Sequence, residues 1–103
     1  MAVYFLDSSA LVKRYISEAG SVWVLGLFDP ALNNEVFIAA ITGVEIIAAI
    51  TRRSRSGSIS ITDATITRNQ FKIDLQKDYQ ILKLYKLLSF VNYINGYLLS
   101  KLK

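Results

Sequence analysis

The chain has 103 residues, 52% of them hydrophobic, with no cysteine and no histidine. That length supports one domain and that composition excludes disorder. The two missing residue types exclude disulfides, thiolate nucleophiles, zinc sites of the Cys/His kind and histidine general bases. The net charge of +4 is unevenly spread: residues 1–50 hold five acids and two bases, residues 51–103 three acids and ten bases. A basic second half suits a phosphate-bearing partner, an acidic protein or a solvated surface.

Val3 to Leu6, "VYFL", is a continuous β-branched and aromatic run, the pattern of a strand buried on both faces. It is too short for a secretory signal and stops at Asp7. Leu11, Val12, Tyr15, Ile16 and Ala19 then recur at helical spacing up to Gly20. "SVWVLGLF" from Ser21 is a short amphipathic piece that Asp29-Pro30 breaks, and Asn33-Asn34 marks a turn. Val36 to Ile41, "VFIAAI", reads as a second buried strand.

Thr42 and Glu45 have the spacing of a capping box. It predicts a helix that carries Val44, Ile47, Ala48 and Ile50 and ends in "TRRSRSGS". Thr62 or Asp63 is expected to cap a further helix with Ala64, Phe71 and Leu75 on one side. Tyr79 to Leu84, "YQILKL", reads as a third strand. The tail that follows, residues 85–103, is aromatic, basic and loosely helical in period. This alternation predicts an α/β fold with a short parallel sheet, over residues 1–84.

Ligands of parallel sheets bind in the crevice at the carboxyl ends of the strands. Asp7 directly follows the first predicted strand, and Glu45 lies just after the second. If those strands are neighbours, both carboxylates reach one crevice and are candidate catalytic residues and metal ligands. With only oxygen donors at hand, the matching ion is Mg²⁺ or Mn²⁺. Each residue also has a purely structural explanation: Asp7 as a helix N-cap, Glu45 as half of the capping box. Ser9 either orients Asp7 or replaces it as the cap. Arg52, Arg53 and Arg55 suit an RNA backbone, and equally the dipole-favoured end of a helix.

Taken together, "YFLDSSALVKRY", "EAGS", "NEVFIAAITGVEIIAAITRRSRSG" and "FKIDLQKDYQIL" resemble the PIN domain, nearest to the VapC-type ribonuclease toxins of bacterial and archaeal toxin–antitoxin pairs. The resemblance covers about residues 1–84. It implies a three-layer α/β/α sandwich and Mg²⁺- or Mn²⁺-dependent cleavage of RNA by a metal-activated water. In it Asp7 matches the first acid of the site, Glu45 the second, and Ser9 the small hydroxyl residue near the first. It also implies a cytoplasmic protein with an antitoxin partner, whose helix would lie on a face made by Leu11, Tyr15, Trp23 and Phe28.

One part of the family pattern is missing. The third acid of such sites follows the third strand, but no Asp or Glu follows Asp78 here. Asp63, Asp74 and Asp78 precede that strand, and Asp78 falls at its amino end. The family's last strand and helix are absent too, so the fold is expected to be incomplete at its C-terminus, with a truncated or frame-shifted tail. Weak or no nuclease activity follows from that, or a non-catalytic remnant that still binds an antitoxin-like partner. An incomplete sheet also invites a homodimer. A tail lying on an anionic membrane is a third reading, less favoured than packing of its leucines against the sheet.

Overall fold

A computed structural model of the chain describes residues 1–83. Three parallel strands, β1 (Val3–Phe5), β2 (Glu35–Ala39) and β3 (Tyr79–Leu82), form one sheet in the order β1-β2-β3. Tyr4 pairs with Val36, and Val36 with Tyr79. Helices α1 (Ser8–Leu11) and α2 (Ser21–Gly26) join β1 to β2; α3 (Ala40–Arg55) and α4 (Ile61–Lys77) join β2 to β3. The expected α/β architecture with a short parallel sheet is therefore present. Among the described residues no helix is long and apolar enough to cross a membrane. The tail over 85–103, and the last residue of the expected third strand, lie outside the described residues.

Each new strand is added on the same side of the previous one, and right-handed crossovers then place both helical connections on one face of the sheet. The core agrees. Val36, Ile38 and Tyr79 face Leu11, Ile46, Ile50, Ala64 and Phe71 in one cluster, with Tyr4 packed against it. Alternation along the strands assigns Val3, Phe5, Phe37, Gln80 and Leu82 to the other face, and none of these belongs to that core. Of the three expected layers, two are formed by the described residues.

Several boundaries differ from those predicted. The helix after β1 is a single α turn continued by a 3₁₀ turn over Val12–Arg14. It stops short of Ala19, and Glu18 in the following loop is bound by Lys13 and by Arg53 of α3, at 3.0 and 3.3 Å. The capping box does not form. β2 ends at Ala39, which is the N-cap of α3 and makes no side-chain cap bond. Thr42 lies inside the first turn and is buried, and Glu45 is exposed on the second. Starting the helix at Ala40 turns Thr42, Ile46 and Ile50, spaced four apart, into the core, while Val44 faces outward at 65% exposure.

α3 closes on Gly57, whose φ of +80° is a left-handed end that glycine adopts without strain. α4 is capped by Ser60 rather than by Thr62 or Asp63: the Ser60 hydroxyl accepts from the Asp63 amide at 3.0 Å. Its Ala64, Phe71 and Leu75 do face the core, as their spacing predicts. Ser60→Ala should lower the unfolding free energy by about 1 kcal/mol, the usual worth of a lost N-cap, measured by urea denaturation.

Candidate functional site

Asp7 sits where β1 hands over to α1. It is the N-cap: one carboxylate oxygen, Oδ1, accepts from the Ala10 amide at 2.9 Å and from the Ser9 hydroxyl at 2.8 Å. The Ala10 amide and then the Ser9 hydroxyl hold the carboxyl below its ordinary pKa, with burial opposing them weakly. Asp7 is thus exposed and ionised. The Ser9 amide also faces the carboxylate and adds weakly to the lowering of its pKa. The cap and the orienting hydroxyl, alternatives in the sequence, coexist on Oδ1, and Ser9 does not replace Asp7.

Glu45 comes to the same side of the molecule because β2 runs parallel to β1 and α3 leaves it at the same edge. With the capping box absent, its carboxylate makes no hydrogen bond or ion pair among the described residues. A cleft of about 360 Å³ lies between α1 and α3. Ser8, Ser9 and Val12 line it on one side; Glu45, Ala48 and Arg52 line it on the other. Positions 45, 48, 49 and 52 form one stripe of α3, so a carboxylate and a guanidinium stand two turns apart along a floor of small residues. The structure brings Ser9, Glu45 and Arg52 to one cleft; Asp7 is bonded to Ser9 but does not itself line the cleft. Arg53 is tied to Glu18, and Arg55 is exposed in the last turn of α3. Among the described residues no group of three or more acidic side chains gathers in one place.

The expected partner face is not continuous. Leu11 is wholly buried, Tyr15 and Phe28 are half-buried, and only Trp23 is open, at 61% exposure, edge-on to Tyr4.

Tyr15 and Phe28 instead belong to a second polar cluster, at the amino edge of the sheet. The Arg14 guanidinium lies 3.8 Å above the Phe28 ring and donates to the Tyr79 hydroxyl at 2.7 Å and to Asp78 at 2.8 Å. Tyr15 donates to Asp74 Oδ2 at 2.8 Å, Gln70 donates to Asp74 Oδ1 at 2.8 Å, and the two tyrosine hydroxyls touch. Since the Tyr15 proton goes to Asp74, the Tyr79 proton goes to Tyr15. Hydrogen bonds therefore run in one direction from Arg14 through Tyr79 and Tyr15 to Asp74, each polarising the next. Sequence gave no signal of this cluster, whose members lie 59 to 65 positions apart. It does account for Asp74 and Asp78, which are held here and not at the carboxyl edge.

Burial, and then the contact with Tyr79, pushes the Tyr15 pKa up; burial also raises Tyr79, outweighing its bonds to Tyr15 and Arg14. Both raised groups favour the folded state while protonated. Their contribution is complete below the unfolded tyrosine value near 10 and is lost as pH rises beyond it. Stability should therefore fall above about pH 10, by at most ~1.4 kcal/mol per pH unit for each tyrosine, and Tyr15→Phe should flatten that slope in urea titrations.

Compared with known proteins, the chain matches no family model and no curated protein.

Proposed function

We infer that this chain is a PIN-like protein whose carboxyl-edge cleft acts on RNA as a metal-dependent endoribonuclease of toxin type, with low activity. The observation that carries this reading is that ionised Asp7 and Glu45, a carboxylate without hydrogen-bond or ion-pair partners among the described residues, follow neighbouring parallel strands, with Glu45 lining a cleft that also holds Ser9 and Arg52. Two carboxylates and a hydroxyl fit a hard cation that keeps most of its water and shares oxygen ligands with a phosphate. Asp7 and Glu45 would hold such an ion, and Ser9 would fix the Asp7 carboxylate. Arg52 would meet a phosphate of the RNA backbone. When bound, Mg²⁺ or Mn²⁺ supplies an acidified water and neutralises charge on the phosphate. The small number of carboxylates is the reason for expecting slow turnover, and an RNA substrate goes with a cytoplasmic location.

The test separates cap from ligand. Asparagine caps helices as well as aspartate does, so Asp7→Asn should leave thermal stability unchanged while cutting Mn²⁺-dependent cleavage of labelled RNA by ~100-fold or more, the scale of a lost charge-stabilising group. Asp7→Ala should add a stability loss of about 1 kcal/mol. Cleavage that is absent with the metal, or indifferent to Asp7→Asn, overturns the reading.

A non-catalytic partner-binding role is favoured by one other observation. α2 exposes Val22, Trp23 and Leu25 together, an apolar surface of the kind that accepts an antitoxin helix. Binding of such a partner without RNA cleavage would select this second reading.

A further inference from the structure

We propose, resting on the RNA reading of the cleft, that Glu18 occupies a phosphate site formed by Lys13 and Arg53, and that a phosphodiester of the bound RNA displaces it. The two cations belong to the elements that wall the cleft. Val12 and Arg52 line it, and Lys13 and Arg53 are the next residues along the same 3₁₀ turn and the same helix. Glu18 bridges the two walls. Its Oε1 meets the Lys13 ammonium at 3.0 Å, and its Oε2 meets the Arg53 guanidinium at 3.3 Å. Each carboxylate oxygen thus serves one cation, as the two free oxygens of a phosphodiester would. Among the described residues neither cation has another ion-pair partner.

A built turn delivers that carboxylate. The Glu18 amide donates to Ser21 Oγ at 2.9 Å, buried Ser21 donates on to the Ile16 carbonyl at 3.3 Å, and Gly20 holds a φ of +91°. The Lys13 stem lies against Gly20, where a Cβ would meet it at 3.2 Å. The backbone is therefore fixed while the charged ends stay accessible, all three side chains being partly exposed and Arg53 the most, at 45%. Ion pairs this open are weak. A phosphate that takes the place of Glu18 leaves both cations paired, so the exchange costs little. Arg53 stands ~12 Å along α3 from Glu45, at the rise of an α-helix, and a strand lying along the cleft from the carboxylates reaches it beside Arg52.

Fluorescence anisotropy of a labelled single-stranded oligoribonucleotide, measured in EDTA so that contact is separated from cleavage, provides the test. Glu18→Gln keeps the side-chain shape and removes the competing charge, so it should tighten binding by ~5-fold or more, the scale of one exposed ion pair. Glu35→Gln makes the same change in net charge at the exposed amino end of β2, on the sheet face away from α3; through the long-range field alone it should tighten binding less than about 2-fold. Adding Lys13→Met and Arg53→Met to Glu18→Gln should abolish the gain and lower the salt slope of binding by about 1.4, two phosphate contacts on a single strand. Thermal melting of Glu18→Gln should stay close to that of the parent. Arg52→Met reports the RNA reading separately, since it should weaken binding whether or not Glu18 covers a site. A gain no larger than that of Glu35→Gln, or one that survives the loss of both cations, overturns the proposal while the effect of Arg52→Met keeps the RNA reading in place. Absence of oligonucleotide binding in every variant overturns both.

Discussion

Arg14→Met should lower the free energy of unfolding by about 3 kcal/mol, because it removes the cation beside an enclosed carboxylate, Asp74, and a partly exposed one, Asp78. Asp78 lies 2.8 Å and Asp74 3.6 Å from its nitrogens, and the Asp74 side chain is only 8% exposed. Exposed ion pairs contribute 1 kcal/mol or less, but an enclosed carboxylate that loses its cation carries an uncompensated charge. Methionine keeps most of the side-chain volume against Phe28, so the loss reports charge and hydrogen bonding more than packing. Burial alone would make Arg14 easier to deprotonate, yet its bonds to Asp78 and Tyr79 outweigh that and raise its pKa. Arg14→Lys should recover part of the loss. A lysine ammonium cannot reach Asp78, Asp74 and Tyr79 from one planar fork. Urea denaturation at pH 7 measures all three proteins; a loss under 1 kcal/mol for the methionine variant would reduce the cluster to a surface feature.

Phe71→Ala should cost more, about 3–5 kcal/mol, the range for emptying a fully buried aromatic site. Phe71 is 1% exposed and meets the Tyr15 ring edge-on at 5.2 Å and the Tyr79 ring at 6.3 Å. It packs against both tyrosine rings, so its removal both opens a cavity and loosens the tyrosines of the hydrogen-bond chain. Phe71→Leu, which keeps most of the volume, should cost less than half as much. At about 4–8 °C per kcal/mol for a domain of this size, the alanine variant should melt some 12–40 °C lower in a thermal scan.

The strands were legible because short apolar runs flanked by Asp7, Asn33-Asn34 and Asp78 have few other ways to be buried. Their ends were not. "VFIAAI" is equally apolar as the end of a strand and the start of a helix, and periodicity cannot divide it. Pairing settled the matter: Ala39 is the last residue of β2 opposite a β3 partner, Leu82, and the helix begins at once. That early start also explains why the capping box, a correct local pattern, lost to the burial of Thr42, Ile46 and Ile50. In the candidate site, the edge position of Asp7 and Glu45 followed from the parallel alternation alone. The cleft that Ser9 shares with Glu45 and Arg52 depends on how α1 lies against α3. The Arg14 cluster was out of reach for the same reason, since nothing local in "KRY" or "KDY" announces the other.

The separation of those two short motifs has a consequence during synthesis. Arg14 and Tyr15 leave the ribosome before their acceptors at Asp74, Asp78 and Tyr79, which follow some sixty residues later. Until then the first strand has only the second to pair with, and the contacts that close the unit are long-range and slow to form. Folding of this unit should therefore wait for β3 to emerge, with its apolar segments in the care of chaperones meanwhile.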